Sequence, residues 1–177
     1  PQALNVLTAK KNLRVINMPS PVVSPKYEVR SINNGLLLQS LDQGDPSGIQ
    51  NWRVATNRQP GEAEMKSLVF AWKACQHVKS NAIVLASGES TVGIGGGQPN
   101  RVDCVRIAVS RAGSKSNGSV MASDAFFPFP DSVELAIKAG ITAIIHPGGS
   151  VRDQESIDLA NEAGLAMVLT GCRHFRH

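Results

Sequence analysis

The sequence predicts an α/β domain in which a mixed sheet is covered by helices on both faces, a three-layer arrangement. Two observations carry this. Short apolar runs at Ala82–Ala86, Val120–Ala122, Thr142–Ile145 and Ala166–Leu169 read as buried strands, and segments of helical spacing stand between them. Glycine- and proline-containing turns punctuate the alternation. With 177 residues and 42% hydrophobic content, the chain can bury one sizeable core, so a single domain is expected.

In chain order, Leu13–Ile16 reads as a short strand and Pro19–Pro25 (PSPVVSP) as a surface loop. Tyr27–Ile32 and Leu36–Ser40 flank Asn34-Gly35, which supplies the positive φ values of a tight hairpin. Arg53–Thr56 is strand-like. Pro60 opens a helix in which Met65, Leu68, Val69, Trp72 and Cys75 recur at helical spacing as a core face, and this helix is expected to end before Asn81. The strand Ala82–Ala86 turns through Ser87-Gly88 into Thr91–Ile94. Gly95-Gly96-Gly97 then lead into a helix over Arg101–Arg111, followed by a loop of composition GSKSNGS. Beyond it the spacing predicts strand Val120–Ala122, helix Ser132–Ala139, strand Thr142–Ile145, helix Gln154–Ala163 and strand Ala166–Leu169.

The densest chemical signal lies between Ser119 and Ser150. Phe126, Phe127 and Phe129 fall within four positions, stiffened by Pro128 and Pro130, with Asp131 where a helix should start. These rings could plug a core. The chain has only five phenylalanines, so placing three on one loop favours a flat aromatic ligand. Gly93–Gln98 (GIGGGQ) lacks the glycine spacing of a dinucleotide fingerprint. Both this stretch and Pro147-Gly148-Gly149-Ser150 precede helices, so each is either a tight connection or a source of backbone N–H groups for an anion.

Several function classes lose support. There is no serine nucleophile elbow, no HExxH, and no HxE with PCxxC. Cys75, Cys104 and Cys172 are odd in number and widely spaced, which argues against a disulfide framework or structural zinc and fits a reducing cytoplasm. His77 reads as a helix-surface residue, and His174 and His177 as a frayed tail. No apolar run reaches the length of a membrane span and no export leader opens the chain; the initial residue, Pro1, points to a processed or truncated chain. The net charge of +4 admits a polyanionic partner, but the basic residues are scattered without interleaved aromatics. Small anionic ligands suit them better than nucleic acid does.

The segments RQPGEAEMKSLVFAWKACQHVKSNAIVLA, VGIGGGQPNRVD, SDAFFPFPDSVELA, PGGSVRDQESIDLANEAGLAMV and CRHFRH resemble, in order, the C-terminal part of the bifunctional purine-biosynthesis enzymes that combine AICAR transformylase with IMP cyclohydrolase. The resemblance runs from Lys11 to His177. It implies formyl transfer from 10-formyltetrahydrofolate to the 5-amino group of AICAR, on a fold similar to cytidine deaminases without the zinc. This chain would be the second of two such transformylase subdomains.

The same resemblance implies roles for individual residues. Asn81 would be an active-site asparagine that holds the reacting groups, and Arg101 and Phe126 would contact the AICAR carboxamide. Arg173 would bind the nucleotide phosphate. Val102, Pro128, Phe129, Asp131 and Ser150 would line the folate pocket, Asp131 pairing with pterin nitrogens, and Asp124 would lie near a potassium site. Pro130 stands where the family commonly has arginine and His146 where it commonly has glutamine, which would alter the pocket's edge. The family's Lys-His catalytic pair, first transformylase subdomain and cyclohydrolase domain would lie upstream of Pro1, leaving no general base here. The implied state is a homodimer whose site is completed by the upstream part, with this chain inactive alone. The competing class is a non-catalytic folate- or nucleotide-binding or dimerisation module.

Overall fold

The computed structural model describes residues 2–16, 26–45 and 48–177. It divides into two compact units, residues 1–41 and 42–177. The smaller unit holds helix α1 (Gln2–Thr8) and a hairpin of β1 (Tyr27–Ile32) and β2 (Gly35–Ser40), paired antiparallel with Val29 opposite Leu38. Only Asn34 of the turn takes a positive φ, 61°, and Gly35 opens β2. Leu13–Ile16, expected as a strand, is irregular: no described strand pairs with it, and an unpaired strand leaves its backbone groups without partners. The PSPVVSP loop expected over Pro19–Pro25 lies outside the described residues.

The larger unit carries the three layers. Its elements are β3 (Arg53–Val54), α2 (Glu62–Cys75), β4 (Ala82–Ser87), β5 (Ser90–Gly96), α3 (Arg101–Ala112), β6 (Val120–Ser123), α4 (Asp131–Lys138), β7 (Ala143–His146), α5 (Asp153–Glu162) and β8 (Ala166–Leu169). Six strands form one mixed sheet in the order β3-β8-β7-β6-β4-β5. β6, β7 and β8 run parallel; β3, β4 and β5 pair antiparallel with their neighbours. Short 3-10 turns occupy Ile49–Asn51 and Gly113–Ser116, the latter taking the first half of the expected GSKSNGS loop.

Strand alternation sorts the core into two layers. Ile83, Leu85, Met121, Ile144 and Met167 face α3, α4 and α5, packing with Val105, Val133 and Ile157. Their neighbours Ala82, Val84, Ala86, Ala122, Ala143, Ile145 and Ala166 face α2. The many alanines on that side let one helix lie close, presenting Leu68, Ala71, Trp72 and Cys75. Gly61 starts α2, with Glu64 reaching back to accept the Gly61 N–H at 2.9 Å, half of a capping box.

Glycines in β5 serve packing. A Cβ on Gly93 or Gly95 would run into the backbone carbonyl oxygens of Ala108 and Cys104 on α3, and one on Gly96 would meet Val78. The stretch read as a turn into a helix is therefore strand as far as Gly96, and its glycines let α3 rest directly on β5.

Candidate active site

A cleft of about 440 Å³ opens where the N-terminus of β4, the C-terminus of β6, the N-termini of α3 and α4 and the C-terminal tail converge. Antiparallel pairing of Ile83 with Ser123 sets this up, because the same register carries Asn81 to the level of Ala125. Asn81, Arg101, Val102, Phe126, Pro128, Phe129, Asp131 and Arg173 all line the cleft, with Ala125, Ser132 and Phe175. Residues as far apart in sequence as Asn81 and Phe175 thus share one wall.

Arg101, the first residue of α3, is the hub. Its Nε donates to the Phe126 carbonyl at 3.1 Å, Nη1 to Ser123 Oγ at 3.2 Å and to Asp124 Oδ1, and Nη2 to Asn81 Oδ1 at 2.6 Å. Four of the five guanidinium N–H groups are thereby directed by the protein, which leaves one on Nη2 for a ligand oxygen. Asp124 is wholly buried, and its Oδ2 accepts from Ser80 Oγ at 2.6 Å. Asn81 Nδ2 donates to the carbonyls of Gln98 at 2.8 Å and Pro99 at 2.9 Å. With both amide hydrogens used, the second lone pair of Oδ1 is what Asn81 still offers to a ligand, so it acts there as an acceptor.

The aromatic loop divides its rings between core and cleft. Phe127 is fully buried, 4.8 Å from the ring of His146. Phe126 carries the guanidinium of Arg173 at 4.9 Å, and Phe129, 53% exposed, carries that of Arg152 at 5.0 Å. The two readings of this cluster are both realised, on different residues. Asp131 opens α4 and accepts the Ser132 N–H at 2.7 Å. Pro130 precedes it with φ −72°, and its carbonyl accepts from Val133 and Glu134, so it serves the helix start and does not line the cleft. Ser150 also stands off the lining, its Oγ accepting from the Arg152 backbone at 3.2 Å.

His146, expected at the pocket's edge, lies in the core because the strand β7 that ends on it is buried at every position. Its Nδ1 accepts the Gly148 N–H at 3.1 Å, which places the proton on Nε2, 3.3 Å from Met167 Sδ. Burial, with Arg101 nearby, pushes its pKa down to about 3. Between that value and the ordinary pKa near 6.5 the unfolded chain takes up a proton that the native chain refuses. Stability is therefore complete above about pH 6.5 and falls as pH drops toward 3, by up to roughly 1.4 kcal/mol per unit. Urea midpoints at pH 7, 5.5 and 4.5 should fall more steeply for the natural chain than for His146→Gln; parallel decline of the two would refute this.

In both glycine turns the N–H groups of Gly97, Gly148 and Gly149 are bonded within the protein. Gly97 N–H is shared by the carbonyls of Lys79 and Asn81, Gly148 N–H goes to His146, and Gly149 N–H goes to Asp153 Oδ2 at 2.6 Å. Both are tight connections. All three cysteines are free thiols; burial raises the pKa of Cys104, raises that of Cys75 well above its ordinary value and takes Cys172 to about 11, so none suits nucleophilic attack. No cluster of three or more His, Cys, Asp or Glu among the described residues could hold a metal ion. No helix among them is long and apolar enough to cross a membrane.

The C-terminal tail is the feature that sequence reasoning missed. His174, expected in a frayed end, is 2% exposed, its Nδ1 donating to Asp42 Oδ2 at 2.7 Å and its ring 4.4 Å from that of Trp72. The partner lies 132 positions away, so no local pattern could reveal it. His77, read as a helix-surface residue, is exposed just beyond α2.

The sequence model of the AICARFT/IMPCHase bienzyme family matches residues 1–111. Curated relatives named bifunctional purine biosynthesis protein PurH, from Synechocystis sp. and Bacillus subtilis, are 51% and 52% identical over 99% of this chain. The chain spans about a third of their length, 34% of each. Among solved structures, a dCMP deaminase from the cyanophage S-TIM5 aligns with 62% of this chain and 98% of its own at 13% identity and a TM-score of 0.42.

Proposed function

The chain belongs to the AICARFT/IMPCHase bienzyme family, and from that membership we propose that its cleft is one wall of the site where a formyl group passes from 10-formyltetrahydrofolate to AICAR. The observation that carries the reading is the convergence on one cleft of Asn81, Arg101, Phe126 and Arg173 with Val102, Pro128, Phe129 and Asp131. In this reading the chain is the second, cytidine deaminase-like subdomain of the transformylase, and the parent protein is also an IMP cyclohydrolase.

The reaction forms a bond from the AICAR 5-amino nitrogen to the formyl carbon and breaks the bond from that carbon to the folate nitrogen. The amine is a weak nucleophile, so its orientation matters. The remaining Nη2 hydrogen of Arg101 would hold the carboxamide oxygen, with the Asn81 Oδ1 lone pair accepting an adjacent N–H. Asp124, Ser123 and the Phe126 carbonyl keep that arginine aimed before any ligand arrives. Arg173 would meet the phosphate with a charged fork. On the folate side, Val102, Pro128 and Phe129 offer apolar surface to a flat ring, Asp131 accepts from its N–H groups, and Ser150 would join them from outside the lining seen here.

The titratable residues lining the cleft are Arg101, Asp131 and Arg173. In this reading Asp131 faces the folate, and the general base that takes the amine proton is supplied from elsewhere in the parent protein. A potassium ion near Asp124 would draw on the hard oxygens Asp124 Oδ2 and Ser80 Oγ, which here bond to each other. For the partner, the hairpin offers an exposed apolar face of Tyr27, Val29, Leu36 and Leu38, the kind of surface that the remaining two-thirds of the parent, or a second copy in a homodimer, would cover. The three free thiols suit a reducing cytoplasm.

Formyl transfer should be assayed with this chain alone and with the separately produced remainder of the parent protein. No turnover alone and turnover in the mixture is the expected result. Failure in both, with the parts folded and associated, would favour a non-catalytic folate- or nucleotide-binding module. Turnover by this chain alone would overturn the absence of a base.

A further inference from the structure

The tail that carries Arg173 has no regular secondary structure to hold it, yet it is fixed at several points. Gly171 N–H bonds to Pro147 O at 3.1 Å, His174 N–H to Asp124 O at 3.0 Å, and Ser80 exchanges two bonds with Arg176, at 2.8 and 3.0 Å. Arg173 is exposed, His174 is buried and Phe175 is 36% exposed, the alternation of an extended segment whose neighbouring side chains point to opposite sides. Arg173 and Phe175 both line the cleft.

The inward side chain is held by an unusual set of groups. Nδ1 of His174 bonds to Asp42 Oδ2, and Nε2 lies 3.7 Å from Asp45 Oδ1, a buried oxygen with no hydrogen-bond partner. Both aspartates are anchored at the C-terminal end of α2: Trp72 Nε1 donates to Asp45 Oδ2 at 2.7 Å, and Gln76, the residue that follows the helix, donates to Asp42 Oδ1 at 3.0 Å. The ring of Trp72 closes the remaining side.

We infer that His174 is a positioning residue, a latch between Asp42, Asp45 and Trp72 that makes Arg173 and Phe175 face the cleft. The inference rests on the reading of that cleft as the nucleotide site. His174 touches no ligand in this scheme; it acts by preorganising Arg173, so its loss costs binding and not chemistry.

The test has two arms. In the chain itself, hydrogen exchange at the amides of residues 173–176 should quicken at least about tenfold in His174→Ala and in Asp42→Asn, as a local opening that the latch prevents. His174→Asn, whose amide nitrogen stands near the place of Nδ1, should recover most of the protection. In the reconstituted enzyme, His174→Ala should raise KM for AICAR about 10- to 100-fold, the size of a lost charge-assisted hydrogen bond, with kcat changed by less than about threefold. Because the effect passes through Arg173, Arg173→Ala/His174→Ala should be no worse than Arg173→Ala. Unchanged exchange in both latch variants overturns the inference, as does multiplication of the two KM effects. If the natural mixture neither binds nor turns over AICAR, the functional reading fails, while the exchange arm still decides whether the latch exists.

Discussion

Replacing Asp124 with alanine is expected to destabilise the folded chain by about 3–5 kcal/mol, read as a shift in urea midpoint at unchanged m-value. The magnitude follows from burial. The Asp124 and Arg101 side chains are 0% and 7% exposed, so removing the carboxylate leaves a guanidinium in the interior with only neutral partners. The exposed pair of Glu62 and Lys66, at 85% and 72%, forms a control: Glu62→Ala should cost less than about 0.5 kcal/mol. A second substitution separates pairing from packing. Arg101→Met/Asp124→Leu removes both charges together and should be markedly more stable than Asp124→Ala, since apolar replacement of a buried pair is often neutral. It would also remove the proposed carboxamide donor, so stability and formyl transfer should part company in that variant. An Asp124→Ala chain as stable as the natural one would show that water reaches the pair and that the hub is not preorganised.

The second large effect is expected at Gly95. Its absent Cβ is what allows α3 to lie on β5, because the obstruction would be the backbone oxygen of Cys104 and not a movable side chain. Gly95→Ala must push the two elements apart and should cost roughly 3 kcal/mol, at the upper end for overpacking. For a chain of this size that is a fall in Tm of about 6–12 °C. α3 carries Arg101 at its first residue, so the displacement also moves the guanidinium away from Asn81 and Asp124. Gly61→Ala is the matched control: φ is −68° and an added Cβ would meet nothing closer than Glu64 Oε2 at 3.8 Å, so its Tm should stay within about 1–2 °C. Equal melting of the two variants would mean that α3 and β5 are less tightly apposed than the glycines imply.

Much of this molecule was legible from local pattern. The apolar runs at Ala82, Val120, Ala143 and Ala166 are strands, and the 3.6-residue spacing from Met65 to Cys75 does form the face of a helix, because burial on one or two sides imposes those periods on any chain. The proline-stiffened loop from Phe126 to Pro130 was visible as a place where rings are concentrated. Which ring enters the core was not, since Phe127, fully buried, and Phe129, 53% exposed, both sit beside Pro128 in the same local pattern. Leu13–Ile16 shows the converse limit: a strand-like stretch makes a strand only when another strand pairs with it.

The order β3-β8-β7-β6-β4-β5, the ion pair of Arg101 with Asp124 and the seat of His174 between Asp42 and Trp72 were decided by the tertiary structure alone. Each depends on groups 23 to 132 positions apart, and no periodicity encodes such a distance. The glycines of β5 make the same point from the other side: their spacing was open to view, but the reason for them is a helix carbonyl that only folding brings alongside. Sequence by itself determined the elements and the chemical groups available; which groups met, and therefore which were buried and which were left to a ligand, was settled by packing.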